Sequence, residues 1–191
     1  MPTRLILGAL MLALGAFALG PSACAQPEER VGPVQVRAPW TAPDGRTVQQ
    51  LIAAHVLPDP AVTPGVLNPD VSDATKAQTV CKAGWTATVR PPTGWTDRLR
   101  DADTPPGSKP LDGELDHLVS IEDGGAPADP KNLWWMAYDD LYGARVKDVL
   151  ETKMKRLYCA GRISLEEARD ALSPNWLLGY ERYVGPLPTH R

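Results

Sequence analysis

Only three cysteines occur in the 191 residues, at positions 24, 81 and 159, and no two have CxxC spacing. A structural zinc site, which commonly draws four ligands from such closely spaced pairs, is therefore a poor expectation. An excess of positive charge is also lacking: Lys and Arg number 20 against 23 Asp and Glu, a formal charge of −3. That is not the balance of a nucleic-acid coat protein, although an acidic chain can still carry a locally basic groove. Beyond Leu19 no apolar run approaches the roughly 20 residues that a membrane-spanning helix needs. No internal repeat and no base-reading module is visible.

What is present begins with an export signal. Arg4 supplies a positive start, Leu5 to Leu19 is apolar, and Pro21 breaks the run before the small-x-small triplet Ala23-Cys24-Ala25. Cleavage is expected after Ala25, so residues 1–25 form a signal peptide and Gln26 starts the mature chain. Lipid attachment at Cys24 is the alternative, disfavoured by Pro21. With Arg4 gone the formal charge is −4. About 165 residues remain, enough for one ordinary domain. A secreted or periplasmic location with no stable membrane span follows. Cys81 and Cys159 are then an even pair in an oxidising compartment, where disulfides persist. A disulfide between them is expected to contribute roughly 2–4 kcal/mol; two buried free thiols are the alternative.

Residues 26–69 carry eight prolines, each of which fixes φ and removes a donor. They read as a Pro-rich N-terminal arm or linker, with one short helix at Val48–Val56 capped by Thr47. Residues 70–185 read as the functional domain and 186–191 as a tail. Thr79–Arg90 suits a half-buried strand, and Trp95–Arg100 a short helix. Glu114–Ile121 reads as a strand, Gly124-Gly125 and Pro127 to Pro130 as a turn-rich loop, and Asn132–Met136 as a second strand. A helix follows from Asp139, with Val146, Val149, Leu150, Met154 and Leu157 at helical spacing. Ser164 and Glu167 form a capping box for a further helix, Leu165–Leu172. The fold class is thus α+β, its central unit being strand, Gly-bearing loop, strand, long helix.

The chemistry concentrates in that unit. Asp116 is a natural ligand for a hard divalent cation, and the adjacent His117 a natural general base near neutral pH. Hydrolysis of a phosphodiester needs both functions, because water must lose a proton as it attacks phosphorus and the leaving oxygen must be neutralised. Asn132 can bridge backbone groups across the hairpin or hold the imidazole. Arg145 and Lys147 are expected either at a scissile phosphate or in solvent. Arg90, with Lys82, Arg98 and Arg100 interleaved with Trp85 and Trp95, lines either a phosphate-tracking groove or a plain basic surface. Trp134 and Trp135 read as core.

The ordered set Glu114-Leu115-Asp116-His117, Gly124-Gly125 and Asn132-Leu133 resembles the HNH (His-Me finger) endonuclease superfamily. Val80-Cys81-Lys82-Ala83-Gly84-Trp85-Thr86, Val89-Arg90-Pro91-Pro92 and Ala144-Arg145-Val146-Lys147-Asp148 extend the likeness to small secreted bacterial HNH-like proteins, over about Asn68 to Tyr183. The resemblance implies a ββα-metal core with flanking helices and two cysteines flanking it. It makes Asp116 a metal carboxylate, His117 the general base and Asn132 its orienting amide, with Mg²⁺ or Mn²⁺ as cofactor and DNA or RNA as substrate. The family's helix-borne ligand, commonly His or Asn, has no counterpart, since neither lies between Trp134 and Ile163. Asp148 is the expected substitute, with Glu151 one turn on as the alternative; both also fit a solvated helix face with i,i+4 pairing. Two rival functions remain: an exported, non-catalytic binding or envelope-associated module on the same scaffold, and a metal-dependent phosphodiesterase for a small substrate. Nothing points to a protein partner.

Overall fold

The computed structural model describes residues 40–189. The expected signal peptide, the stretch 26–39, and His190 with Arg191 lie outside the described residues. Within them the chain is α+β, a two-stranded antiparallel sheet among six α-helices.

Helix α1 (Val48–Ala53) begins at a capping box: Thr47 accepts from the Gln50 backbone, and the Gln50 side chain accepts from the Thr47 backbone. The stretch 40–69, read from its prolines as an arm or linker, is packed into the domain. Ala42, Leu51, Val56 and Leu57 are buried in the main core. Trp176 Nε1 donates to the Val56 carbonyl at 2.9 Å, and Arg46 forks onto Asp140 with two 2.7 Å bonds. Prolines interrupt regular structure, but they do not stop the apolar side chains between them from leaving water.

The expected strand over Thr79–Arg90 is also corrected. Residues 75–82 form successive turns, closed by Thr79 N to Thr75 O at 3.0 Å and Cys81 N to Lys76 O at 2.9 Å. Gly84 then takes a left-handed φ of +78° and opens α2 (Trp85–Val89). β-branched residues favour a strand only where a neighbouring edge can pair with them, and here none does. Helix α3 (Thr93–Asp103) encloses the expected Trp95–Arg100.

Strands β1 (Gly113–His117) and β2 (Leu133–Ala137) pair from Gly113↔Ala137 to His117↔Leu133. β1 stops short of Ile121 because Ile121–Asp123 winds into a 3₁₀ turn. Helix α4 (Ala144–Cys159) returns along the hairpin. α5 (Leu165–Leu172), with its Ser164–Glu167 capping box, and α6 (Trp176–Tyr183) pack on it. Leu118, Met136, Leu150, Met154, Tyr158, Leu172 and Trp176 are fully buried at the centre. Cys81 and Cys159 are joined by a disulfide that ties the turn before α2 to the end of α4. No helix of the described residues is long and apolar enough to cross a membrane.

Candidate active site

The hairpin loop is held by one buried amide. Asn132 Oδ1 accepts from Val119 N at 3.0 Å, while its Nδ2 donates to the carbonyls of Val119 at 2.9 Å and Ala126 at 3.0 Å. Of the two expected uses of Asn132, the structure places it in the first, bridging backbone across the loop. A Cβ on Gly125 would lie 1.8 Å from the Val119 carbonyl oxygen and 2.7 Å from Asn132 Nδ2. Only glycine permits that approach.

The loop in turn fixes His117, the last residue of β1. Its Nε2 lies 3.0 Å from the Pro127 carbonyl. A carbonyl only accepts, so Nε2 carries the proton and Nδ1 of the neutral ring keeps a lone pair. Burial lowers the His117 pKa, against the bond to Pro127, and the ring is neutral at pH 7. Asp116 Oδ1 accepts from its neighbour's backbone, His117 N, at 2.7 Å, and Oδ2 lies 3.0 Å from Lys147 Nζ.

Lys147 is a correction. Expected at a phosphate or in solvent, it is fully buried. Its ammonium donates to the His117 carbonyl at 2.6 Å, pairs with Asp116 and Glu151, and sits 5.3 Å from the centre of the Trp134 ring. The buried stripe of α4 is Ala144, Lys147, Leu150, Met154 and Tyr158, rotated from the expected one so that Val149 is exposed. Burial works against the charge, but Asp116 and Glu151 outweigh it and hold the Lys147 pKa above the ordinary lysine value.

Asp116 and His117 open onto a cleft of about 400 Å³, lined also by Glu114, Glu122, Asp148 and Glu151, with Arg90 its basic side chain. The Asp148 carboxylate makes no hydrogen bond among the described residues. Burial, then the charge of Asp116, pushes its pKa up. Burial and Asp116 likewise push Glu114 up to about 7, despite a 3.0 Å hydrogen bond from Tyr138 Oη. Glu122 is paired with Lys155 at 3.0 Å. Burial is thus the first cause of the raised carboxyls in the cleft, with repulsion from Asp116 second.

Of the expected basic stretch, Arg90 reaches the cleft. Arg100 is paired with Asp97 and Asp101, and Lys82 and Arg98 are exposed elsewhere. Arg145 is exposed, its guanidinium 5.9 Å from the centre of the Tyr138 ring. Trp134 and Trp135 are buried, as core residues are. Among the described residues no group of three or more His, Cys, Asp and Glu side chains is placed to hold a metal ion. Sequence reasoning missed the cleft's use of Glu114 and Glu122 and the buried lysine. The spacing of Lys147 to Leu150, Met154 and Tyr158, with Glu151 at i+4, is the signal that places it inward. No family model, curated protein or solved structure matches this chain.

Proposed function

We propose that this cleft hydrolyses phosphodiester bonds of DNA or RNA in the manner of an HNH endonuclease, in a secreted or periplasmic protein. The observation that carries the reading is His117: a neutral imidazole at the wall of an acidic cleft, with one nitrogen locked as donor on Pro127 and the other left basic. In this role Nδ1 takes a proton from water as its oxygen bonds to phosphorus, and the bond from phosphorus to the leaving oxygen breaks. Hairpin followed by helix, with Asp116-His117 closing the first strand, is the order an HNH-like ββα-metal core requires.

The donors fit a divalent cation of the Mg²⁺ or Mn²⁺ type. Asp116 and Asp148 would hold it, and Asp148 offers an oxygen donor set with no other hydrogen bond. Mg²⁺ keeps most of its waters and takes only one or two protein carboxylates, so a closed cage is not needed. Bound there, the ion supplies charge neutralisation at the phosphate and the leaving oxygen. The same charge lets a polyanion approach a cleft that is otherwise acidic. Arg90, which lines the cleft, would then contact phosphate. The export signal in residues 1–25 and the disulfide support the location.

The non-catalytic scaffold remains the second reading. One observation favours it: Lys147 already engages Asp116, and α4 offers neither His nor Asn. Incubating residues 26–191 with plasmid DNA and with RNA, in Mg²⁺, Mn²⁺ or EDTA, separates the two. The nuclease reading expects metal-dependent cleavage that is lost in Asp148→Asn. A folded sample that cuts neither polymer in either metal supports the scaffold.

A further inference from the structure

Among the described residues Lys147 is a fully buried cation that the proposed hydrolysis does not use. Its surroundings are those of a bound cation. Three oxygens converge on Nζ: a carboxylate from the end of β1 (Asp116), the backbone carbonyl of the next residue (His117), and a carboxylate one turn along α4 (Glu151). All three ammonium hydrogens have acceptors, the Trp134 ring lies beside them, and water has no access. Carboxylate, carbonyl, carboxylate is also a donor set that a hard divalent ion accepts. Asp148 also lines the cleft, where the Lys147 and Arg145 charges act on it but, among the described residues, no hydrogen bond or ion pair ties down its carboxylate.

We propose that the Lys147 ammonium is a resident cation filling the inner position of this carboxylate cluster, so that the cleft takes a single divalent ion, on the outer side at Asp116 and Asp148. Lys147 is a positioning residue. It holds Asp116 in place through Oδ2, and it joins β1 to α4 without a metal. The outer ion rests on the metal-bearing reading of the cleft given above, whereas the inner half concerns Lys147 alone.

The test is direct binding of Mn²⁺, followed by calorimetry and by the electron paramagnetic resonance of free Mn²⁺, with no nucleic acid present. Wild type is expected to bind one ion per chain, lost in Asp148→Asn. Lys147→Met, whose vacated pocket keeps three oxygen donors, is expected to bind one more, and Mn²⁺ should raise its melting temperature more than that of wild type. Two ions on wild type, or a folded Lys147→Met that gains none, overturns the proposal. Because unpaired Asp116 and Glu151 can prevent that variant from folding, the Nζ resonance of wild-type Lys147 is followed by ¹⁵N NMR during titration with diamagnetic Mg²⁺. A protected ammonium signal that persists at saturation supports the resident cation. Its loss into exchange with water shows that the ion displaces it and refutes the proposal. A gained site in Lys147→Met with no ion on wild type removes the metal-bearing reading of the outer site but upholds the inner one, so the two failures are distinguishable.

Discussion

Asn132 shows how much one side chain fixes here. Its amide satisfies one backbone donor and two carbonyls that would otherwise be buried and unpaired. Each such group left bare costs about 1–3 kcal/mol. Asn132→Ala is therefore expected to lose about 3 kcal/mol or more, read as a lower urea midpoint, and an unchanged midpoint contradicts the bridging role. Asp123 is a different case. Burial pushes its carboxyl well above the ordinary carboxylate range, with the Ser120 hydroxyl, 2.6 Å away, opposing. In the unfolded chain the group ionises near the ordinary aspartate value of about 3.9. Between that pH and the folded value only the folded state keeps the proton, so stability from this group is present in acid and lost as pH rises. Asp123→Asn removes the titration. Its stability should fall less steeply than wild type from about pH 4 toward neutrality, and parallel curves would argue against a neutral Asp123. Asp116, His117 and Asn132 were legible in the sequence as candidates, from residue type and order, and the structure sets Asp116 and His117 in the cleft wall and Asn132 under the hairpin loop. Lys147 was not, because a lysine is rarely fully buried, and only the acceptors supplied by a distant strand make its burial stable.

At the level of elements, local rules carried most of the fold. The N-cap at Thr47 and the capping box at Ser164 placed the starts of α1 and α5, whereas α4, expected from Asp139, begins at Ala144 after a turn closed by Gly143. Thr79–Arg90 misled because a short run of Val, Trp and Thr suits a strand or a helix alike. The choice fell to the left-handed Gly84 and to the lack of a strand to pair with. The stripe of α4 was read about one residue out of phase, since Val149 looks like core and Lys147 like surface until the hairpin is in place. The loop between β1 and β2 is tightly constrained. Gly125→Ala forces a Cβ into the Val119 carbonyl, so the Asn132 bridge must open. The expected loss is about 3 kcal/mol, accompanied by collapse of protection at the Val119 amide in hydrogen exchange. A variant as stable as wild type with that amide still protected would contradict the geometry.

For the molecule as a whole, composition and cysteine pairing indicated a single α+β domain, but proline content hid its extent. Residues 40–69 contribute Leu51, Val56 and Leu57 to the core, and the bond from Trp176 to Val56 crosses between segments 120 residues apart. Burial at that separation leaves no local signature in a Pro-rich stretch. The disulfide spans 78 residues, and by loop-closure entropy its removal costs about 4 kcal/mol. Cys81→Ser with Cys159→Ser should unfold at correspondingly lower denaturant, and an unshifted midpoint would mean that the bond restrains nothing. The central claim, that His117 is the base of a hydrolytic cleft, is tested most directly by single-turnover cleavage of a labelled nucleic acid in Mg²⁺. Wild type, His117→Ala, and His117→Ala with added imidazole are compared. The account predicts a loss of about 10²-fold or more in the variant and partial recovery with imidazole. A variant that cleaves as fast as wild type, or a folded wild type that does not cleave at all, contradicts it.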